Sequence, residues 1–412
     1  MGRLRVGVNL LPLRPAVMGG AGEYVRVLLT HLAAEAGAEY VVVAPPDDGG
    51  LVPEAMRAAR VSPPGTVRGA TRRVLERVLP RRGPLGKILE PVRVRHRRRV
   101  AGSLAELMVR EHLDVWFCPL ANLQPRDAPV PTVITVLDLQ HEHFPAFFDP
   151  AELAHRRAFY PASCRAAGRV IAISGFVRDD VITRYGVPPA RVSVVWLAPG
   201  DDLDWAGARA LIPAVRARYR LPRRYVFYPA NAWPHKNHGR LLEALALYRS
   251  RAADAVDVVL TGDLAGARAS IEAAAVRLGV AGAVHLLGYV PREHLPPLYA
   301  GAACLALPSL FEGFALPLVE AMRAGCPIVA ADVASVPEVA GDAAVLFDPW
   351  DPAALARALA RVIDDPEAAA TLARRGRARA ARFSASIMAA RTLEILERVA
   401  AEGRASIAPE RG

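Results

Sequence analysis

The segment Glu312-Gly-Phe-Ala-Leu-Pro-Leu-Val-Glu320 sets two carboxylates eight residues apart. The apolar run Ala303 to Pro308 precedes it and reads as a parallel strand. Ala321 to Cys326 follows and reads as a helix. The two acids are thus expected around a strand-to-helix turn. Such a turn presents backbone N–H groups and the positive end of a helix at the C-terminal edge of a sheet, where phosphate-bearing ligands bind. A carboxylate there can accept hydrogen bonds from a pair of ligand hydroxyls. The combination points to an enzyme that grips a nucleotide-linked substrate.

The elements that must hold these residues alternate strand and helix. In the first half, Leu4–Leu10, Glu39–Ala44, Asp114–Pro119, Thr132–Asp138, Arg169–Ile173 and Arg191–Trp196 read as strands. Gly19-Gly20-Ala21-Gly22 reads as a glycine-rich turn, followed by a helix from Glu23 to Ala34. His155–Ala167 and Phe176–Tyr185 are further helices, and Ala198–Arg220 holds the linker. The pattern then restarts with strands at Tyr225–Pro229, Val256–Thr261, Val284–Leu287, Ala303–Pro308, Cys326–Ala330 and Ala344–Phe347. Strand followed by helix, repeated, predicts an α/β protein with parallel sheets covered on both faces. Two such Rossmann-like domains, residues 1–200 and 201–383, are expected to face each other across a cleft that can hold a donor on one side and an acceptor on the other. A helix over 384–401 and a disordered tail over 402–412 complete the reading.

Composition narrows the class. The chain has 412 residues, 52% of them hydrophobic and 23% charged, enough for two or three domains with sizeable cores. The longest stretch free of Asp, Glu, Lys and Arg, His294 to Phe311, contains Pro296, Pro297 and Pro308, which argues against a membrane span. The opening residues run straight into a strand pattern, so a cytoplasmic location, peripheral at the inner membrane face at most, is expected. Cys118, Cys164, Cys304 and Cys326 are widely spaced in apolar surroundings and read as buried thiols, with neither disulfide nor zinc site. The formal charge is +11, and Arg68–Arg99 alone carries a local net of +10. That segment is either a solvated face or a patch for an anionic membrane surface, a lipid diphosphate or an acidic polymer. No binding module or aromatic platform accompanies it, so a nucleic-acid partner is not expected.

The acidic segment, Ala324-Gly-Cys-Pro-Ile-Val329 and Val336-Pro-Glu-Val-Ala-Gly-Asp-Ala-Ala344 together resemble retaining glycosyltransferases of family 4, which have the GT-B fold. Gly19-Gly20-Ala21-Gly22 and Trp233-Pro-His-Lys-Asn237 carry the same resemblance. Asp138-Leu-Gln-His-Glu-His-Phe-Pro145 is similar to a subgroup rich in polysaccharide and lipopolysaccharide mannosyltransferases. The likeness spans nearly the whole chain. It implies that Glu320 binds the donor ribose hydroxyls and Glu312 the donor sugar. Phe314, Ala315, Leu316 and Pro317 would lie along the sugar and diphosphate, and Lys236 would neutralise the diphosphate. Gly20 would approach the diphosphate, while Gly262, Tyr289 and Val290 would border the nucleotide. The last helix would cross back to the N-terminal domain.

The chain departs from the family pattern at three positions. Leu137 stands where many members have His, Ala230-Asn231 replaces a Gly-Arg pair, and Ala315 replaces a glycine. His141 and His235 are candidates to compensate. Asp138 could deprotonate an acceptor hydroxyl or simply shape a turn, and His141 could touch the sugar or be structural. Ser174 could reach the cleft or cap the next helix. The acids Asp201, Asp202-Leu-Asp204 and Asp364-Asp365 read as caps or surface charge, so no metal site is expected.

The resemblance implies a metal-independent retaining transfer of a hexose to a hydroxyl of a glycan, lipid-linked or small-molecule acceptor. GDP-mannose is the expected donor and a UDP-hexose the next candidate, with no cofactor. A catalytically inactive nucleotide-sugar-binding or scaffold protein is the alternative from another class. A glycoside phosphorylase of the same fold and a nucleotide-sugar epimerase fit less well. The basic segment is expected to govern acceptor or membrane association. Reversing several charges within Arg68–Arg99 should weaken binding to anionic vesicles in a sedimentation assay while leaving nucleotide affinity intact, and unchanged sedimentation would discard the idea.

Overall fold

The computed structural model describes residues 3–13, 19–45, 48–57, 100–252, 256–264 and 266–407. The basic segment Arg68–Arg99 lies outside the described residues. The chain divides into two units. Unit 1 joins Met1–Trp196 to Ala385–Gly412, and unit 2 is Leu197–Ser384.

Unit 1 is built on β1 (Leu4–Asn9), β2 (Ala38–Val43), β3 (Val115–Cys118), β4 (Thr132–Val136), β5 (Arg169–Ala172) and β6 (Val192–Val194). All neighbours are parallel, in the order β2-β1-β3-β4-β5-β6. Every residue of β3 and β4 is buried, as uninterrupted apolar runs require when helices cover both faces. The fully buried Trp116 fits against β1 because position 7 is glycine. A Cβ there would lie 2.4 Å from the indole.

Unit 2 repeats the plan with β7 (Tyr225–Pro229), β8 (Asp257–Thr261), β9 (Val284–Gly288), β10 (Cys304–Leu307), β11 (Ile328–Ala331) and β12 (Ala344–Phe347). The order is β12-β11-β10-β7-β8-β9, again all parallel. The chain winds outward from β7 to β9, then returns to β10 on the other side of β7. The loops after β7 and β10 therefore diverge at a topological switch point, where open parallel sheets bind ligands. Two doubly wound parallel sheets in succession are the architecture of the GT-B fold.

Several expected boundaries move. Gly19 and Gly20 are not a turn but the first residues of helix Gly19–Ala34. The helix expected from His155 starts at Pro150, because Asp149 caps it by accepting from the Ala151 N–H and proline is tolerated in a first turn. The linker region contains helix Ala208–Tyr219. Helix Leu316–Ala324 begins five residues before the expected Ala321, with Pro317 in its first turn. Glu320 thus projects from the body of a helix rather than from the turn. The final helix, Ala385–Ile407, belongs to unit 1 and overruns the tail expected from Glu402. Glu402 pairs with Arg169 at 3.0 Å and Arg404 with Asp114 at 2.8 Å, which holds the helix past that point. Residues 408–412 lie outside the described residues. All four cysteines are buried and free. Among the described residues no helix is long and apolar enough to cross a membrane.

Candidate active site

Lys236 and Glu312 meet at the switch point of unit 2. The loop after β7 ends in a short turn, Pro234–Lys236, and the loop after β10 carries Glu312. Their side chains pair at 2.7 Å. Glu312 is 8% exposed, so the carboxylate sits in the protein rather than in water. Burial alone would push its pKa up. The Lys236 ammonium, the neighbouring His235 and hydrogen bonds from Lys236 and Ser309 outweigh that and hold it below the usual carboxylate value. His235 and His238 are pushed down to about 4, first by burial and then by Lys236. Both are therefore neutral near pH 7, and Lys236 is the local cation.

Buried polar groups fix the two loops. The Tyr228 hydroxyl, fully buried at the end of β7, donates to the Lys236 carbonyl at 2.9 Å and meets Ser309 Oγ at 3.2 Å. Leu310 N–H donates to the His235 carbonyl at 2.7 Å. Ser335 Oγ donates to the Glu312 carbonyl at 2.8 Å. Asn237, in the left-handed region at φ 57°, donates its amide to the Pro308 and Pro349 carbonyls. The tasks of Tyr228, Ser309, Ser335 and Asn237 escape a reading of the sequence, because only the long-range pairing reveals them.

The residues after Glu312 form a strained entry into the helix. Phe314 is buried and packs edge-on against Phe383, with ring centroids 5.8 Å apart. Ala315 precedes helix Leu316–Ala324 at φ 69°, ψ 60°. That left-handed conformation suits the glycine that the family resemblance implies here, since a Cβ in this region costs roughly 1–2 kcal/mol. Leu316 and Pro317 open the helix, and its first N–H groups follow directly from the Glu312 loop. Glu320 lies one turn on, half-buried, and its Oε2 accepts from the Tyr299 hydroxyl at 2.6 Å. Tyr299 is fully buried, and burial together with Glu320 raises its pKa well above normal.

The loops after β7, β8 and β9 are knitted together. Gly262 has φ 121°, and a Cβ there would lie 2.8 Å from the Ala230 backbone, so only glycine fits. Its N–H donates to the Gly288 carbonyl. Asn231, which replaces the family's arginine, accepts from the Asp263 N–H at 2.8 Å. This asparagine staples the loop rather than offering a cation. Val290 is buried beside the exposed Tyr289, whose side chain is 81% accessible. Trp233 is exposed and stands near His235, ring to ring at 5.7 Å.

The remaining candidates lie in unit 1. Gly20 is exposed in the first turn of its helix, with open space where a Cβ would be. Asp138 Oδ1 accepts from the Gln140 N–H at 2.9 Å and so shapes the turn after β4. His141 is fully buried, its Nε2 3.0 Å from the Tyr185 hydroxyl and its ring edge-on to Tyr160. Burial, Arg156 and Arg157 lower its pKa to about 4. In this arrangement His141 anchors the segment Gln140–His143 and has no exposed edge for a sugar. Ser174 Oγ accepts from the Val177 N–H and caps helix Gly175–Tyr185. Asp365 caps helix Pro366–Ala380, and Asp364 accepts from the Tyr248 hydroxyl. Among the described residues no group of three or more His, Cys, Asp or Glu could hold a metal ion.

Fold and site together define an α/β protein of the GT-B class with an ammonium–carboxylate pair at the switch point of its second sheet. Residues 18–198 match the family described as Glycosyltransferase Family 4, and residues 215–379 match Glycosyl transferases group 1. The chain is 30% identical over 307 residues to the O-antigen chain mannosyltransferase B of Escherichia coli, covering 74% of this chain and 78% of that protein. It is 36% identical over 255 residues to the D-inositol 3-phosphate glycosyltransferase of Salinispora arenicola, covering 58% of this chain and 56% of that protein. The match thus spans about half the length of the latter. Among solved structures, sucrose-phosphate synthase from Thermosynechococcus elongatus superposes with a TM-score of 0.72 at 19% identity, over 97% of this chain and all of that one. This likeness shows the shared fold. The chain belongs to the family 4 glycosyltransferases, and it is a transferase of glycosyl groups.

Two outcomes follow from this geometry. Lys236→Met should destabilise the protein by about 3–5 kcal/mol in urea unfolding, because it strands the buried Glu312 carboxylate, and Glu312→Gln should cost less, because Lys236 is only half-buried. The double variant should lose less than the sum, and strict additivity would show that the pair is not coupled. Ala315→Gly should raise stability by about 1 kcal/mol in the same measurement by relieving the left-handed alanine.

Proposed function

We propose that this transferase moves a hexose, mannose from GDP-mannose before a UDP-hexose, onto a hydroxyl of a glycan, lipid-linked or small-molecule acceptor. The observation that carries the reading is the buried Lys236–Glu312 pair at the switch point of unit 2. Its mannose preference draws on the 30% identity to an O-antigen chain mannosyltransferase.

The chemistry follows from the groups present. A diphosphate entering the crevice meets Lys236 and the N–H groups that begin helix Leu316–Ala324, and both favour negative charge. Lys236 then exchanges part of its contact with Glu312 for a phosphate oxygen. Glu312, released on one side, accepts from a donor-sugar hydroxyl. Glu320 accepts from the ribose hydroxyls beside the Tyr299 bond. The anomeric carbon–phosphate oxygen bond breaks as the acceptor oxygen bonds to that carbon on the same face. The acceptor's proton passes to the departing phosphate oxygen, giving a glycoside with retained configuration and a nucleoside diphosphate. The charge that develops on the leaving group is met by Lys236 and backbone N–H groups, so the reading needs no metal.

A nucleotide-sugar-binding protein without turnover is the second reading. It is favoured by Asn231, which is committed to the Asp263 N–H where relatives have a cation. Thermal shift with GDP, UDP and ADP sugars should rank GDP-mannose first, since a ligand bound only by the folded state raises its stability. Turnover in the presence of EDTA should then give an α-linked product by NMR, and Lys236→Ala should lower kcat/KM by about 10²–10³-fold. Binding without any donor consumption would favour the second reading, and no response to any nucleotide sugar would reject both.

A further inference from the structure

The acids Asp201 and Asp202, which read in the sequence as surface charge, are each held by an arginine from a donor-side element of unit 2. Arg323 sits on helix Leu316–Ala324, three residues after Glu320 and on the same stretch of helix. Its Nη1 donates to the Gly200 carbonyl at 3.2 Å and to Asp201 Oδ1 at 2.9 Å. Its Nη2 donates to the Phe383 carbonyl at 3.1 Å. The chain passes between the units at Trp196–Leu197 and at Ser384–Ala385. One guanidinium therefore grips the segment just after the first passage and the residue just before the second.

Two further contacts join the same parts. Phe383 packs edge-on against Phe314, two residues beyond Glu312. Arg292, which follows the Tyr289–Val290 loop, pairs with Asp202 at 3.1 Å. The Glu312 loop, the Glu320 helix and the loop after β9 thus each reach one or both of the passage segments. The Asp201 ion pair is half in water and contributes little by itself. The grip comes from the fork geometry of arginine, which spreads its donors over separate nitrogens and so reaches both segments at once, where an ammonium gathers all three donors on one atom.

We propose that Arg323 is a positioning residue that couples nucleotide occupancy of unit 2 to the two segments where the chain passes between the units. The inference rests on the donor site proposed above. A nucleotide diphosphate that draws in the Glu312 loop and the Glu320 helix moves Arg323 with that helix. Both passage segments then respond together, and by reciprocity their state feeds back on nucleotide affinity.

Hydrogen exchange tests this with GDP and, separately, UDP as probes. In the wild type, nucleotide should slow exchange in three places: residues 309–317, 198–204 and 381–384. In Arg323→Ala, residues 198–204 and 381–384 should exchange several-fold faster without ligand, and nucleotide should slow 309–317 alone. Arg323→Lys should keep only part of the coupling. Asp201→Asn should keep most of it, because both carbonyl bonds remain. Slowing at 309–317 in the wild type with no change at either passage segment would overturn the coupling and leave the donor site standing. Equal responses in wild type and Arg323→Ala would overturn it too. If neither nucleotide slowed 309–317 in the wild type, the donor site would fall and the coupling with it.

Discussion

The structure of unit 2 turns on one ion pair whose carboxylate is buried. A carboxylate taken out of water costs several kcal/mol unless a cation and further hydrogen bonds replace the lost hydration. Glu312 obtains the cation from Lys236, and the arrangement works only if two loops from opposite sides of a switch point arrive in register. Tyr228, Ser309 and Ser335 supply that register from buried positions: Tyr228 ties β7 to the Lys236 carbonyl and to Ser309 of the other loop, and Ser335 ties the Glu312 carbonyl to the start of helix Val336–Ala340. The pair is thus a costly feature of unit 2 that several further hydrogen bonds support.

Backbone conformation carries the second constraint. Ala315 and Asn237 occupy the left-handed region on either side of the pair, and Gly262 adopts a conformation closed to other residues. Such conformations persist only where surrounding contacts over-determine them, and they gather where a chain must turn sharply to present N–H groups. Asn231 shows the same economy. It has given up the cationic side chain usual in relatives and uses its amide oxygen to close the loop onto Asp263.

Much of the fold was legible because fully buried parallel strands are continuous apolar runs, and those runs are short and bounded. The β10 and β11 segments read directly as Cys-Leu-Ala-Leu and Ile-Val-Ala-Ala. The errors cluster where residue type misleads about local geometry. Gly19 and Gly20 suggested a turn but begin a helix, and Pro150 and Pro317 stand in the first turns of helices whose starts were expected later, since a first turn needs few of its own N–H groups. The chemistry of Lys236 and Glu312 was visible as types in a pattern, but their contact was not, because it joins residues 76 positions apart. His141 carried two readings, a sugar contact or a structural histidine, and its burial against Tyr160 and Tyr185 could be seen only once distant helices were in place.

The return of helix Ala385–Ile407 to unit 1 has a consequence for how the protein is made. During synthesis, the sheet of the first unit emerges early but lacks the helix that covers part of it until the whole of the second unit has left the ribosome. The second unit, being continuous, can fold as soon as it appears. The first must wait with an apolar face uncovered, so its completion is timed by the synthesis of helix Ala385–Ile407.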